Sequence, residues 1–190
     1  MGAFEHVISL LSFVYALAIA HLLGTVARLI GARERVRFSW FHAYWMLNAL
    51  IALVVDWVSW WDVHSLPSWP VLSIFVALAQ ACVDFLQAAL TCPEISPEGE
   101  IDLVAFHQTR ARRYIGAFAA MAIMAFLSNL YFGGIYNIAD FFVQNRVVVP
   151  LIVIALFAAI VRRRWVDIAA PILLLCCWGY FLSQLQAALR

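Results

Sequence analysis

Five polar residues, Ser73, Gln80, Asp84, Gln87 and Thr91, punctuate an otherwise apolar run from Val71 to Cys92. Their spacings of 7, 4, 3 and 4 residues place all five on one helical face. A carboxylate flanked by two amides on such a face can hold and release a proton or small cation, with Gln80 and Gln87 orienting water beside Asp84. An ionised Asp84 turned to hydrocarbon is strongly disfavoured, so the face must meet protein or water. The competing reading is structural: the same groups hydrogen-bond to neighbouring helices or subunits and fix their register.

Depth along the helices sorts the other ionisable groups. At 1.5 Å per residue, Asp84 lies ~20 Å below the outer end of its helix and His21 ~25 Å below the outer surface. Asp56 lies only ~8 Å below a cluster formed by Trp57, Trp60, Trp61 and Trp69. The count makes His21 the ionisable neighbour of Asp84 and Asp56 an outer vestibule. It also separates the two aspartates by ~12 Å, which argues against a two-aspartate centre.

Histidines offer a second chemistry. If the first two helices pack antiparallel, His21 comes near His42 and His6 near His64, as two bis-histidine b-type haems require. This spacing resembles that of dihaem cytochrome b bundles. Three of these histidines fall at helix ends, however, where a polar-tipped ring is ordinary. Cys82, Cys92, Cys176 and Cys177 show no metal or redox spacing. The expectation is therefore that no cofactor or metal is bound.

The elements that carry these residues are membrane spans. With 66% hydrophobic and 12% charged residues, the 190-residue chain departs far from soluble composition. Apolar runs of about 20 residues match a bilayer core of ~30 Å. The sequence predicts an all-α, polytopic membrane helical bundle with six transmembrane helices and one domain over 1–190. The spans are roughly 4–27, 41–61, 71–92, 114–132, 143–161 and 166–189, with a long cytoplasmic loop over 93–113.

Arginine sets the orientation. Ten of the twelve arginines lie in alternate connections: Arg28, Arg33, Arg35 and Arg37; then Arg110, Arg112 and Arg113; then Arg162, Arg163 and Arg164. Only Arg146 and Arg190 fall on the other side. The positive-inside rule then places both termini outside the cytoplasm. Arginine without lysine and a high alanine content suggest a GC-rich bacterial genome, hence a bacterial inner (plasma) membrane. The first span has no basic leader or cleavage site and reads as retained. In loop 93–113, acidic Glu98, Glu100 and Asp102 precede Arg110 to Arg113, a charge order that suits a helix extending from 101 into the fourth span. Pro150 and Pro171 fall inside the last two spans and can bend them.

Small residues at Ala16, Ala20 and Gly24 allow close backbone approach. With so short a chain, this favours a homo-oligomer or a place beside partner subunits in the lipid bilayer. A net charge of +1 implies no nucleic-acid partner. Leu11 to Ala20 resembles the first helix of bacterial relatives of the lysosomal potassium channel. That family's Arg and Phe-Ser-Asp signature is absent, and its orientation is the reverse. No Walker loop, His-Glu-x-x-His, nucleophile elbow or potassium-filter sequence is present, so an enzyme has little support. The residues favour a small oligomeric channel or transporter for protons or small cations. The alternative is a non-catalytic accessory or scaffold subunit of a larger membrane complex.

Overall fold

A computed structural model describes residues 3–188 apart from 65, 67, 96–97, 134–137 and 162. Among these, seven α-helices account for nearly all the chain: α1 (Ala3–Gly31), α2 (Trp40–Ser59), α3 (Val71–Thr91), α4 (Leu103–Gly133), α5 (Ile138–Gln144), α6 (Val148–Ile160) and α7 (Arg164–Ala188). Five are long and apolar enough to cross a membrane: α1, α2 with the 3-10 turn after it, α3, α4 and α7. The fold is all-helical, as the apolar periodicity predicts. Arg162, Gly134 and Arg190 lie outside the described residues.

Local chemistry explains where the helices begin. The Ser39 side chain accepts the His42 amide at 3.4 Å and caps α2. Asp102 caps α4 by accepting the amides of Val104 and Ala105 at 2.8 and 2.9 Å. The fourth helix therefore extends back to Leu103, and the loop is shorter than 93–113. In its place, a two-residue strand β1 (Val36–Arg37) pairs in parallel with β2 (Ile101–Asp102). Arg37 donates to Asp102 at 3.0 Å, and Arg35 donates to the Gly99 carbonyl at 3.1 Å. Gly99 supplies the positive φ of 98° that this turn demands. The first and third connections are thereby sewn together at one end of the bundle.

Asp102 carries a pH consequence. The Ala105 amide first, with help from Arg37 and the Val104 amide, holds its carboxyl below the usual aspartate range against an opposing desolvation. A depressed folded pKa stabilises above the unfolded value and loses that effect as pH falls through the folded one. Melting of detergent-solubilised Asp102→Asn should therefore be less acid-sensitive than wild type below about pH 4. Identical acid profiles would show that this cap contributes nothing.

The span expected over 143–161 is broken. Asn145 accepts from Asn129 at 2.9 Å and donates to the Phe141 carbonyl at 3.0 Å. These bonds hold a turn between α5 and α6. Pro150 consequently sits in the first turn of α6, where its missing N–H is not needed, and does not bend a continuous helix. Pro171 lies inside α7, and its carbonyl accepts from Asn48 of α2 at 3.2 Å.

α1 packs on α2 and α3, α3 on α4, and α4 on α6, while α2 also meets α4 and α7, and α6 meets α7. One apolar core joins α1, α2 and α3 around Leu11, Tyr15, Ala49 and Ala81. A second joins α2, α4, α6 and α7 around Trp45, Phe118, Ala155 and Leu174. Small residues in both let helices approach closely, which matters where lipid removes any hydrophobic drive between helices. The seam between the two cores, lined by α2, α3 and α4, carries the polar residues.

Candidate functional site

All five polar residues of α3 are buried, none more than 5% exposed. Asp84 does not meet His21. His21 is exposed on α1, with its ring 6.4 Å from that of Phe85. The side chain that reaches Asp84 from α1 is Tyr15, whose oxygen lies 2.9 Å from Asp84 Oδ2. The same oxygen hydrogen-bonds to Asp56 Oδ2. The separation of Asp56 from Asp84 inferred by depth counting is therefore incorrect: one phenol bridges both carboxyls.

The ruler failed at its zero. Trp60, a member of the cluster from which the depth of Asp56 is counted, is only 6% exposed. Its indole Nε1 donates to Tyr15 at 3.1 Å, and its ring packs edge-on against Phe132. Trp60 thus belongs to the site, in a 3-10 turn that continues α2. Counting residues from it misplaced Asp56. Tyr15 itself escaped sequence reasoning, although it lies on a buried helical face with Leu11, Ala18 and Leu22.

Gln80 completes the cluster one turn before Asp84. Its amide nitrogen lies 3.3 Å from both Asp84 oxygens, and Ser128 of α4 donates to its carbonyl at 3.5 Å. Four helices therefore supply the group: Tyr15 from α1, Asp56 from α2, Gln80 and Asp84 from α3, and Ser128 from α4.

Counting hydrogens defines its protonation. Tyr15 has one O–H, which serves one carboxylate. The second carboxyl makes its bond to the same oxygen only when it is protonated and donates. That bond and the Trp60 N–H then fill the two lone pairs of the phenolic oxygen. The arrangement is closed when the two aspartates together hold one proton. Two bare carboxylates so close would repel each other, which favours the same state.

A cavity of about 280 Å³ leads to this group. Asp56, Gln80 and Ser128 line its deep part, and Asp62 and Gln144 line it near the arginine-poor end. In the other direction, Gln87 follows Asp84 along α3, with neither amide atom hydrogen-bonded. Near the arginine-rich end, His107 of α4 bonds to Tyr114, and its Nε2 lies 3.5 Å from Asp167 of α7. Sequence reasoning missed this second cluster because its members are scattered over two spans with no common spacing.

The four histidines considered as haem ligands lie apart in their surroundings. His42 is fully buried with its ring against Phe106 and Tyr114 of α4, while His21 faces Phe85 of α3. His64 stacks on Trp61, and His6 is exposed. His21 and His42 thus turn to different helices, which is not the facing pair that a haem between them requires. No protein-family model, curated protein or solved structure matches this chain.

Proposed function

We propose that the protein is a small oligomeric membrane channel or transporter for protons, with Tyr15, Asp56 and Asp84 as its proton-binding centre. The observation that carries this reading is the phenol bridging the buried carboxyl of Asp84 and the half-buried carboxyl of Asp56 at the end of a cavity with several polar lining residues. Ionisable groups are costly in a membrane interior and mark pathways for ions or protons when they face a cavity. Gln80 and Trp60 present N–H groups to the cluster, which suits a proton and repels a metal cation.

In this reading a proton enters through the cavity from the arginine-poor end and joins the free carboxylate. The cluster then holds two acidic protons. Release toward the arginine-rich end passes one to water beside Gln87, and Tyr15 resets by turning its single hydrogen. The positive-inside rule makes the arginine-rich end cytoplasmic and both termini external. α5 and α6 together form a fifth crossing, giving six spans in a bacterial inner membrane. The exposed seam of Ala16, Ala20 and Gly24 on α1 supports self-association.

Reconstitution tests the reading. Proteoliposomes under a potassium-diffusion potential should acidify or alkalinise according to its sign, at a rate above that of protein-free vesicles. A rate equal to that of protein-free vesicles overturns it in favour of an accessory or scaffold subunit, a role also consistent with a cluster that ties four helices together.

A further inference from the structure

At the arginine-rich end, α1 and α2 separate to leave an apolar groove of about 460 Å³. Leu22, Val26 and Leu29 form one wall, and Leu47 and Leu50 the other. It follows α1 from Leu22 to Ile30, a length of ~12 Å at 1.5 Å per residue. Its volume lies in the range of small-molecule sites, roughly 300–1,000 Å³. The polar members of its lining are Arg33 and His42.

Arg33 also lines an adjoining hollow of about 620 Å³ with Arg28, Arg35 and Glu34. Three arginines against one glutamate leave this hollow net positive. Arg28 is engaged by Thr25 at 3.2 Å and Arg35 by the Gly99 carbonyl. Arg33 has no hydrogen-bond or ion-pair partner among the described residues. An apolar slot thus runs into a cationic hollow, with one uncommitted guanidinium at the junction.

We infer that this groove binds one anionic phospholipid, its acyl chain between α1 and α2 and its phosphate on Arg33. Charge complementarity selects the anionic head, since a guanidinium matches phosphate in a bidentate fork. The apolar walls at membrane depth select the chain. Basic pockets between membrane helices recognise lipid heads by this same combination. The site is separate from the Tyr15–Asp56–Asp84 cluster and does not depend on proton movement.

Native mass spectrometry of the detergent-released full chain tests the inference by titration with dioleoyl phosphatidylglycerol, dioleoyl phosphatidylcholine and oleate. Phosphatidylglycerol should bind about five-fold more tightly than phosphatidylcholine, the worth of one arginine near an anionic surface. Arg33→Gln should erase that preference and Arg33→Lys should keep most of it. Leu47→Trp, which fills the groove from a half-exposed position, should weaken both phospholipids. Equal affinity of the wild type for the two phospholipids, or an undiminished preference in Arg33→Gln, overturns the assignment. Oleate binding as tightly as phosphatidylglycerol also overturns it, because the head recognised would then not be a phosphate.

Discussion

Asp84→Asn is expected to lower potential-driven proton flux by about 100-fold, the low end of what a positioned acid–base group contributes. The substitution keeps shape and volume. The asparagine amide can donate to the oxygen of Tyr15 as the protonated carboxyl does, so the cluster stays satisfied while losing its exchangeable acid. Stability should stay within about 1 kcal/mol of wild type, because no buried partner is left unpaired. Infrared spectroscopy reads the shared proton itself. The wild type should show a protonated-carboxyl band at neutral pH that shifts in deuterium oxide. In Asp84→Asn, Tyr15 donates to the single carboxylate of Asp56, and that band should disappear. Unchanged flux would remove Asp84 from the pathway; an unchanged band would mean that the shared proton resides elsewhere.

Tyr15→Phe should do the opposite kind of damage, to the fold as well as to transport. Removing the hydroxyl takes one partner each from Asp56, Asp84 and Trp60 without removing any of those groups. A buried polar group left unsatisfied costs about 1–3 kcal/mol. The three losses share one cavity and do not add independently, so we expect about 2–4 kcal/mol of destabilisation. Flux should fall about ten-fold or more, since a 1.4 kcal/mol rise in barrier already gives that factor. Thermal unfolding in detergent, followed by helical circular dichroism, measures the first effect and proteoliposome flux the second. A Tyr15→Phe protein as stable and active as wild type would mean that the phenol does not bridge the carboxyls in the membrane.

The two substitutions separate transport from architecture. If the cluster served only to hold helices in register, Tyr15→Phe would still destabilise, but wild type and Asp84→Asn would both show no flux above protein-free vesicles. A proton-handling centre requires a wild-type flux that asparagine removes from an intact bundle.

Much of this organisation was legible in the chain itself. Apolar runs of bilayer length specify membrane helices, because hydrocarbon leaves a backbone few ways to satisfy its own polar groups. The helical period puts Ser73, Gln80, Asp84, Gln87 and Thr91 on one face, and the cost of a charge in lipid requires that face to be covered. Both follow from local spacing and solvent chemistry, and the structure buries all five. The capping role of Asp102 and its continuation into α4 are likewise local, resting on residues three apart.

The tertiary structure decided what the covered face meets. That Tyr15 rather than His21 reaches Asp84 depends on how α1 is rotated against α3. That Asp56 joins them depends on Trp60 folding into the bundle instead of lying at its surface. Depth along a chain is a one-dimensional quantity, and rotation, tilt and the entry of a turn into the core are not encoded in it. The same limit hid His107 and Asp167, which are 60 residues apart and meet only because α4 and α7 bring their first turns together. Local periodicity determined which residues must be sheltered; helix packing alone determined which of them meet in one hydrogen-bonded cluster.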